Sequence, residues 1–227
     1  MRVQLFLFLA LCYRSDAQDS NIVIRAGTSF NESVSITDLY EYPKFVTGKV
    51  FFKIGDSGAA KLNYNRLLDE MQFIDPKGDT LHIANAGTIR SIRINDDVFY
   101  YDNGYVKLIK DTKSIKLAAK QTLLLAGKDK IGAYGIPNPT SAIDSYGTLI
   151  DAKGIYKLVP REDITLTRKT QYYFGDKYNH FVWATRKNLL REYSKVSGKL
   201  NAFLKEYNID LNSKEDLEKL LLFLASL

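Results

Sequence analysis

His82 and His180 are the only imidazoles in this chain, and Cys12 is its only thiol. Neither histidine sits in a spaced ligand motif, and no second cysteine completes a zinc site with them. His82 stands between Leu81 and Ile83 as a strand residue does, and His180 follows Asn179 near Trp183, so both read as structural. No G-x-S-x-G elbow, Walker loop or H-E-x-x-H run occurs. Carboxylates remain. Glu70, Asp96, Asp97 and Asp144 are available for the two acids, about 5–10 Å apart, that glycoside hydrolysis needs. Asp96-Asp97, however, is most simply turn chemistry. The sequence therefore predicts no catalytic residue, no metal site and no cofactor, and a binding protein rather than an enzyme. The alternative is a hydrolase acting on an envelope polymer through sheet-borne carboxylates.

For binding, the residues to weigh are aromatic. Tyr134 and Tyr146 lie in residues 126–147, "AGKDKIGAYGIPNPTSAIDSYG", the longest stretch rich in Gly, Pro, Ser and Asn, and Trp183 lies further on. Aromatic rings offer broad apolar faces to sugars or peptides at low entropic cost. These three are the expected contacts for a protein, peptide or glycan partner, made through the 126–147 loop or a sheet face. Core packing of all three is the plain alternative. The chain holds 15 Tyr and 12 Phe. Aromatics favour strands, so their number speaks for a β-rich fold before it speaks for ligand stacking.

The N-terminus sets the expected compartment. Arg2 precedes an apolar run, Val3 to Tyr13, of about 11 residues, the length of a signal-peptide core and too short to span a bilayer. Ser15 and Ala17 complete a cleavage pattern before Gln18. Residues 1–17 are thus expected to be a cleaved signal peptide, with export to the periplasm or the medium. Leu11 stands where lipoprotein processing wants a small residue, so anchoring through Cys12 is not expected and Cys12 is discarded.

Cleavage lowers Lys+Arg from 32 to 30 and Asp+Glu from 26 to 25, leaving a charge of about +5. That mild excess does not argue for nucleic acid. The densest basic run, Lys107, Lys110, Lys113, Lys116, Lys120, Lys128 and Lys130, is interleaved with apolar residues and reads as a solvated sheet face rather than a polyanion-binding stripe. No later segment has the length of a transmembrane helix. Short, irregular strands and a helical end argue against a membrane barrel.

These residues must be carried by strands. Asn21–Arg25, Lys49–Ile54, Ala60–Leu67, Glu70–Asp75, Thr80–Ala84, Thr88–Ile94, Val98–Tyr101, Tyr105–Lys110, Ser114–Thr122, Tyr156–Val159, Ile164–Phe174 and Phe181–Ala184 read as β, with residues 26–47 irregular. Asp75-Pro76-Lys77-Gly78 predicts a hairpin turn, and Asn95-Asp96-Asp97 and Asp102-Asn103-Gly104 predict two more. After Thr185 the period changes. Leu189, Leu190 and Tyr193 mark one helix. Leu200, Phe203, Leu204 and Tyr207 mark a second, after a break near Ser197-Gly198. Leu217, Leu220, Leu221 and Leu224 form one apolar stripe of a third, capped by Asn212 or Ser213.

The fold class is thus α+β: a mainly antiparallel sheet, as a meander, curved sheet or sandwich, with a C-terminal tail of two to three helices. The β-rich domain is expected over residues 18–185 and the helical appendage over 186–227.

The segments Leu62–Asn65, Glu70–Phe73 and Gly78–Leu81, with "AYGIPNPTSA", "TQYYFGDKYNHFVWATRKNLL" and the closing "DLEKLLLFL", carry a resemblance. Over most of the chain after Ala17, the sequence resembles a group of uncharacterised, secreted β-rich proteins of Bacteroidota-type bacteria. The resemblance implies export and a β-domain with a helical tail, and it implies no activity. Asn63-Tyr64-Asn65 within it is either a site or a pair of amides that satisfy backbone groups around a buried tyrosine.

Overall fold

The computed structural model describes residues 21–125, 159–160 and 163–227. The expected signal peptide, the 126–147 loop with Tyr134, Tyr146 and Asp144, and all but the last residue of the strand expected at Tyr156–Val159 lie outside the described residues.

Alternating apolar runs closed by turn residues become eleven strands among the described residues. They are β1 (Asn21–Ile24), β2 (Val46–Phe52), β3 (Ser57–Asn65), β4 (Glu70–Ile74), β5 (Thr80–His82), β6 (Ile89–Ile94), β7 (Asp97–Tyr101), β8 (Tyr105–Asp111), β9 (Lys116–Leu125), β10 (Ile164–Gly175) and β11 (Phe181–Trp183). All pair antiparallel in one sheet of order β1-β10-β9-β8-β7-β6-β2-β3-β4-β5, with β11 on β10. The protein is an α+β fold built on this sheet. Two meanders, β2–β5 and β6–β10, meet where β2 pairs with β6.

The turns follow their residues. Gly78, at φ +91°, donates its N–H to Asp75 O at 3.0 Å, and Asp75 Oδ1 accepts from the N–H groups of Lys77 and Asp79 at 2.8 Å. This is the expected hairpin, although β5 stops at His82 rather than Ala84. Asn95 and Asn103 take left-handed φ, as their short polar side chains allow.

The sheet curls upon itself. Register shifts between Phe51 and Phe52 and between Leu108 and Lys110 bend two strands. Gly48 lets Leu62 and Ile94 close over β2, since a Cβ there would lie within 3 Å of both. The end of β3 consequently meets β7, β8 and β9. Tyr64 packs against Phe99 and Tyr105 at centroid distances of 6.1 and 6.3 Å, and the N–H of Leu123 donates to Arg66 O at 3.0 Å. Inside the curl lie Val50, Leu62, Met71, Ile92, Ile94 and Phe99.

Residues 26–47 are not wholly irregular. They contain two four-residue helices, α1 (Phe30–Ser33) and α2 (Ile36–Leu39), and Ser35 caps the second by accepting from the N–H of Asp38. One helical turn is too short to show a period in sequence. Phe30, Val34 and Leu39 pack with Ile24, Ile164 and Leu166.

The C-terminal helices are α3 (Arg186–Glu192), α4 (Ser197–Glu206) and α5 (Lys214–Ala225). The break falls a few residues earlier than predicted: Ser194–Val196 form a 3₁₀ turn, and Ser197-Gly198 open α4. Burial of Leu200 and Leu204 outweighs the weak helix propensity of Gly198. Ser213 caps α5. The stripe Leu217, Leu220, Leu221 and Leu224 is buried with Ile115 and Leu117 of the β8–β9 region and Tyr172 and Phe174 of β10, so the helices lie on the sheet. No helix among the described residues is long and apolar enough to cross a membrane.

Candidate functional site

Two features of the curled sheet bring charged groups together, one inside and one outside. The inner one begins with backbone pairing. The chain ahead of β2 runs beside the end of β3: the N–H of Glu41 donates to Tyr64 O at 3.0 Å, and that of Arg66 to Leu39 O at 2.8 Å. Arg66, buried, and Glu41, largely buried, are thereby held side by side and form an ion pair of 2.6 Å. The Arg66 guanidinium also donates to the carbonyls of Thr37, Asp38 and Tyr40. Burial pulls its pKa down, and the Glu41 carboxylate opposes that shift.

β8 contributes Lys107, which bonds the other oxygen of Glu41 and stands 3.7 Å from Asp97 of β7. Asp97 accepts the hydroxyl of Tyr42 at 2.6 Å. A second knot adjoins the first. Asp69 holds left-handed φ in the β3–β4 turn, accepts the Tyr64 hydroxyl at 2.8 Å, and pairs with Lys120 of β9 at 2.6 Å. Gly104 makes room for it, since a Cβ there would fall 2.1 Å from Lys120 Nζ.

Between the two knots lies a cavity of about 90 Å³ bordered by Glu41, Tyr105, Lys107, Lys120 and Gln121, with the rings of Tyr64 and Phe99 as walls. Tyr105 is 4% exposed, and its hydroxyl has no hydrogen-bond partner among the described residues.

The lysine run is therefore only in part a solvated face: Lys113 is exposed in the turn before β9, while the others described are engaged. Lys107, Lys110 and Lys120 pair with Glu41, Glu218 and Asp69. Lys116 is buried, donating to Asp176 O at 3.1 Å with its ammonium 5.8 Å from the Tyr100 ring centre. Alternation was the right period, but the curl and the helices cover that part of the sheet. Lys128 and Lys130 lie outside the described residues.

The outer feature is the exposed face of β6, β2 and β3. Register sets Lys49 between Arg93 and Ala59, and Lys61 of β3 shares their side of the pleat. Phe51 collects three cations: Lys49 Nζ lies 5.3 Å from its ring centre, and the guanidinium carbons of Arg90 and Arg93 lie at 5.7 and 6.0 Å. Lys49, Arg90 and Arg93 are exposed, and none has an acidic partner among the described residues.

Of the aromatic contacts expected from sequence, only Trp183 is described. It lies half-buried in β11 opposite Tyr173, apart from both features. Of the carboxylates weighed for hydrolysis, Asp144 lies outside the described residues and the other three form no cluster around a cleft. Asp96 is exposed in a turn, Asp97 is held by Tyr42 and Lys107, and Glu70 begins β4 opposite Asn65. Among the described residues no three His, Cys, Asp or Glu side chains are grouped to hold a metal ion. Asn63 and Asn65 satisfy backbone. Asn63 bonds both the N–H and the carbonyl of Tyr42, and Asn65 accepts from the N–H groups of Leu67 and Leu68. Glu41, Arg66, Phe51, Arg90 and Arg93 escaped sequence reading. Only Lys49-Val50-Phe51 hinted at them, as a basic residue and an aromatic on one strand face.

Seven described tyrosines, Tyr42, Tyr64, Tyr100, Tyr105, Tyr172, Tyr173 and Tyr193, have raised pKa values, each with burial as the first cause. For Tyr42 and Tyr64 the carboxylates that accept their hydroxyls add to it. Tyr173 and Tyr193 are pushed to about 12. An unfolded tyrosine ionises near pH ~10. The folded state thus holds these protons more tightly, and the resulting stability is full below pH ~10 and declines above it. Absorbance titration should show at least these seven described tyrosines ionising later than in urea. Coincident titration curves would refute the burial pattern.

No family model, no curated protein and no solved structure matches this chain.

Proposed function

We propose that the protein is an exported, non-enzymatic binding protein of the bacterial envelope or medium, and that it engages an acidic glycan through the outer face of β6, β2 and β3. The observation that carries this reading is the unpaired cation cluster around Phe51. Three exposed cations about one ring repel one another. The ring's negative face offsets part of that repulsion, and a carboxylated or phosphorylated polymer would offset the rest. A row of cations spread over three neighbouring strands suits a linear chain better than a compact ligand. The apolar h-region from Val3 and the Ser15/Ala17 pattern support export, which would place such polymers within reach. Tyr134 and Tyr146 remain proposed contacts, and Trp183, on β11 away from this face, would serve a separate contact.

Charge reversal tests the reading. Arg90→Glu combined with Arg93→Glu is expected to weaken retention on alginate at least about tenfold while leaving Tm nearly unchanged, since both residues are exposed. Wild-type retention should fall as salt is raised. Equal retention of wild type and variant, or equal binding to an uncharged glucan, would reject the assignment.

A further inference from the structure

The cavity between the two charge knots has a chemistry of its own, and it shares no residue with the outer patch. Its hydrogen-bonding capacity is lopsided. The Tyr105 hydroxyl is buried without a partner among the described residues. The Lys120 ammonium has three N–H donors. One goes to Asp69 Oδ2, and the side chain is only 10% exposed, so two more face a largely dry interior. Lys107 bonds Glu41, while its second carboxylate, Asp97, stands at 3.7 Å, beyond hydrogen-bond reach. Gln121 donates one of its two amide N–H groups to Thr170 Oγ1 at 3.2 Å. The Tyr105 hydroxyl and the Lys120 ammonium therefore both keep donor capacity with no partner among the described residues.

Charge points the same way. Two lysines, Lys107 and Lys120, and one acid, Glu41, are among the residues that line the cavity. Asp69 and Asp97, which balance the lysines, are not part of the lining. What the site lacks is a compact, lone-pair-rich anion that brings no donors. A carboxylate has about four lone-pair sites in one plane and forms short charge-assisted bonds to ammonium and phenol groups. The walls of Tyr64 and Phe99 would meet its carbon end. Size limits the choice: a cavity of about 150 Å³ is known to admit benzene, so 90 Å³ admits about four heavy atoms. Lys107 is a third exposed, which leaves a way in from solvent.

We infer that this cavity is a binding site for a small carboxylate of acetate size, held by Tyr105, Lys107 and Lys120. The site lies where the end of β3 closes against β8 and β9. A bound carboxylate would tie those strands together, because Tyr105 and Lys107 belong to β8 and Lys120 to β9.

The test uses the purified protein with acetate as the probe, titrated against chloride at constant ionic strength. Acetate is expected to raise Tm in a saturable manner that chloride does not reproduce. Tyr105→Phe keeps the ring and removes only the unpartnered hydroxyl. It should fold as wild type does and weaken acetate binding by about fivefold or more. As a second measurement, needing no variant, NMR cross-relaxation should connect the acetate methyl protons to the Tyr64 and Phe99 rings. An acetate response no larger than chloride's would overturn the inference. So would unchanged affinity in a folded Tyr105→Phe, or a high-resolution structure grown in acetate that shows only water in the cavity.

Discussion

Replacing Arg66 by alanine is expected to destabilise the protein by about 3–5 kcal/mol at neutral pH, the usual cost of stranding one partner of a buried ion pair. Arg66 and Glu41 side chains are 7% and 12% exposed. Without the guanidinium, Glu41 keeps only Lys107, and the carbonyls of Thr37, Asp38 and Tyr40 lose a donor. Arg66 Nε has no partner among the described residues, so the wild-type residue is itself incompletely satisfied. That sharpens a second expectation. Arg66→Met with Glu41→Leu should recover much of the loss, because removing both charges removes both desolvation costs. Arg66→Lys should not recover it, since an ammonium cannot span three carbonyls and a carboxylate in one plane. Urea unfolding of the four proteins decides the matter. A loss below about 1 kcal/mol in Arg66→Ala would mean that Glu41 finds water once its partner is gone.

The second large effect is expected at α5. Leu220→Ala should cost about 2–5 kcal/mol, the range for a fully buried leucine whose site collapses only in part. Leu220 is 0% exposed and shares its cluster with Leu117 and Phe174 of the sheet. Leu222, on the same helix, is 54% exposed, and Leu222→Ala should stay within about 0.5 kcal/mol. The pair separates a helix docked on the sheet from one that is merely helical. If both substitutions cost the same, docking is refuted. If Leu220→Ala gives two transitions, the helices and the sheet unfold apart.

Much of the fold was legible because its causes are local. Asp75, Pro76 and Gly78 set their turn through their own φ preferences, and the four leucines of α5 declare a helix face by spacing alone. The charge clusters were not legible. Glu41 meets Arg66 across 25 residues and Lys107 across 66, and Lys120 meets Asp69 across 51. No spacing rule links positions so far apart. The same holds for Phe51, which reads as a strand hydrophobe until register brings Arg93 beside Lys49.

The sequence by itself determined the type of most described elements, the sheet-with-helices class and the leucine face of α5, since each depends on residues a few positions apart; it missed the two short helices of residues 26–47, and Tyr207, expected on the apolar face of the second helix, is exposed. The tertiary structure alone decided that the sheet curls, that four of the lysines reading as solvated are paired or buried, and that a cavity bordered by Tyr105, Lys107 and Lys120 opens between β3 and β8–β9. Strand order, two register shifts and the close approach at Gly48 create those neighbours. They arise from long-range pairing, whose partners a one-dimensional pattern of apolar and polar residues leaves unspecified.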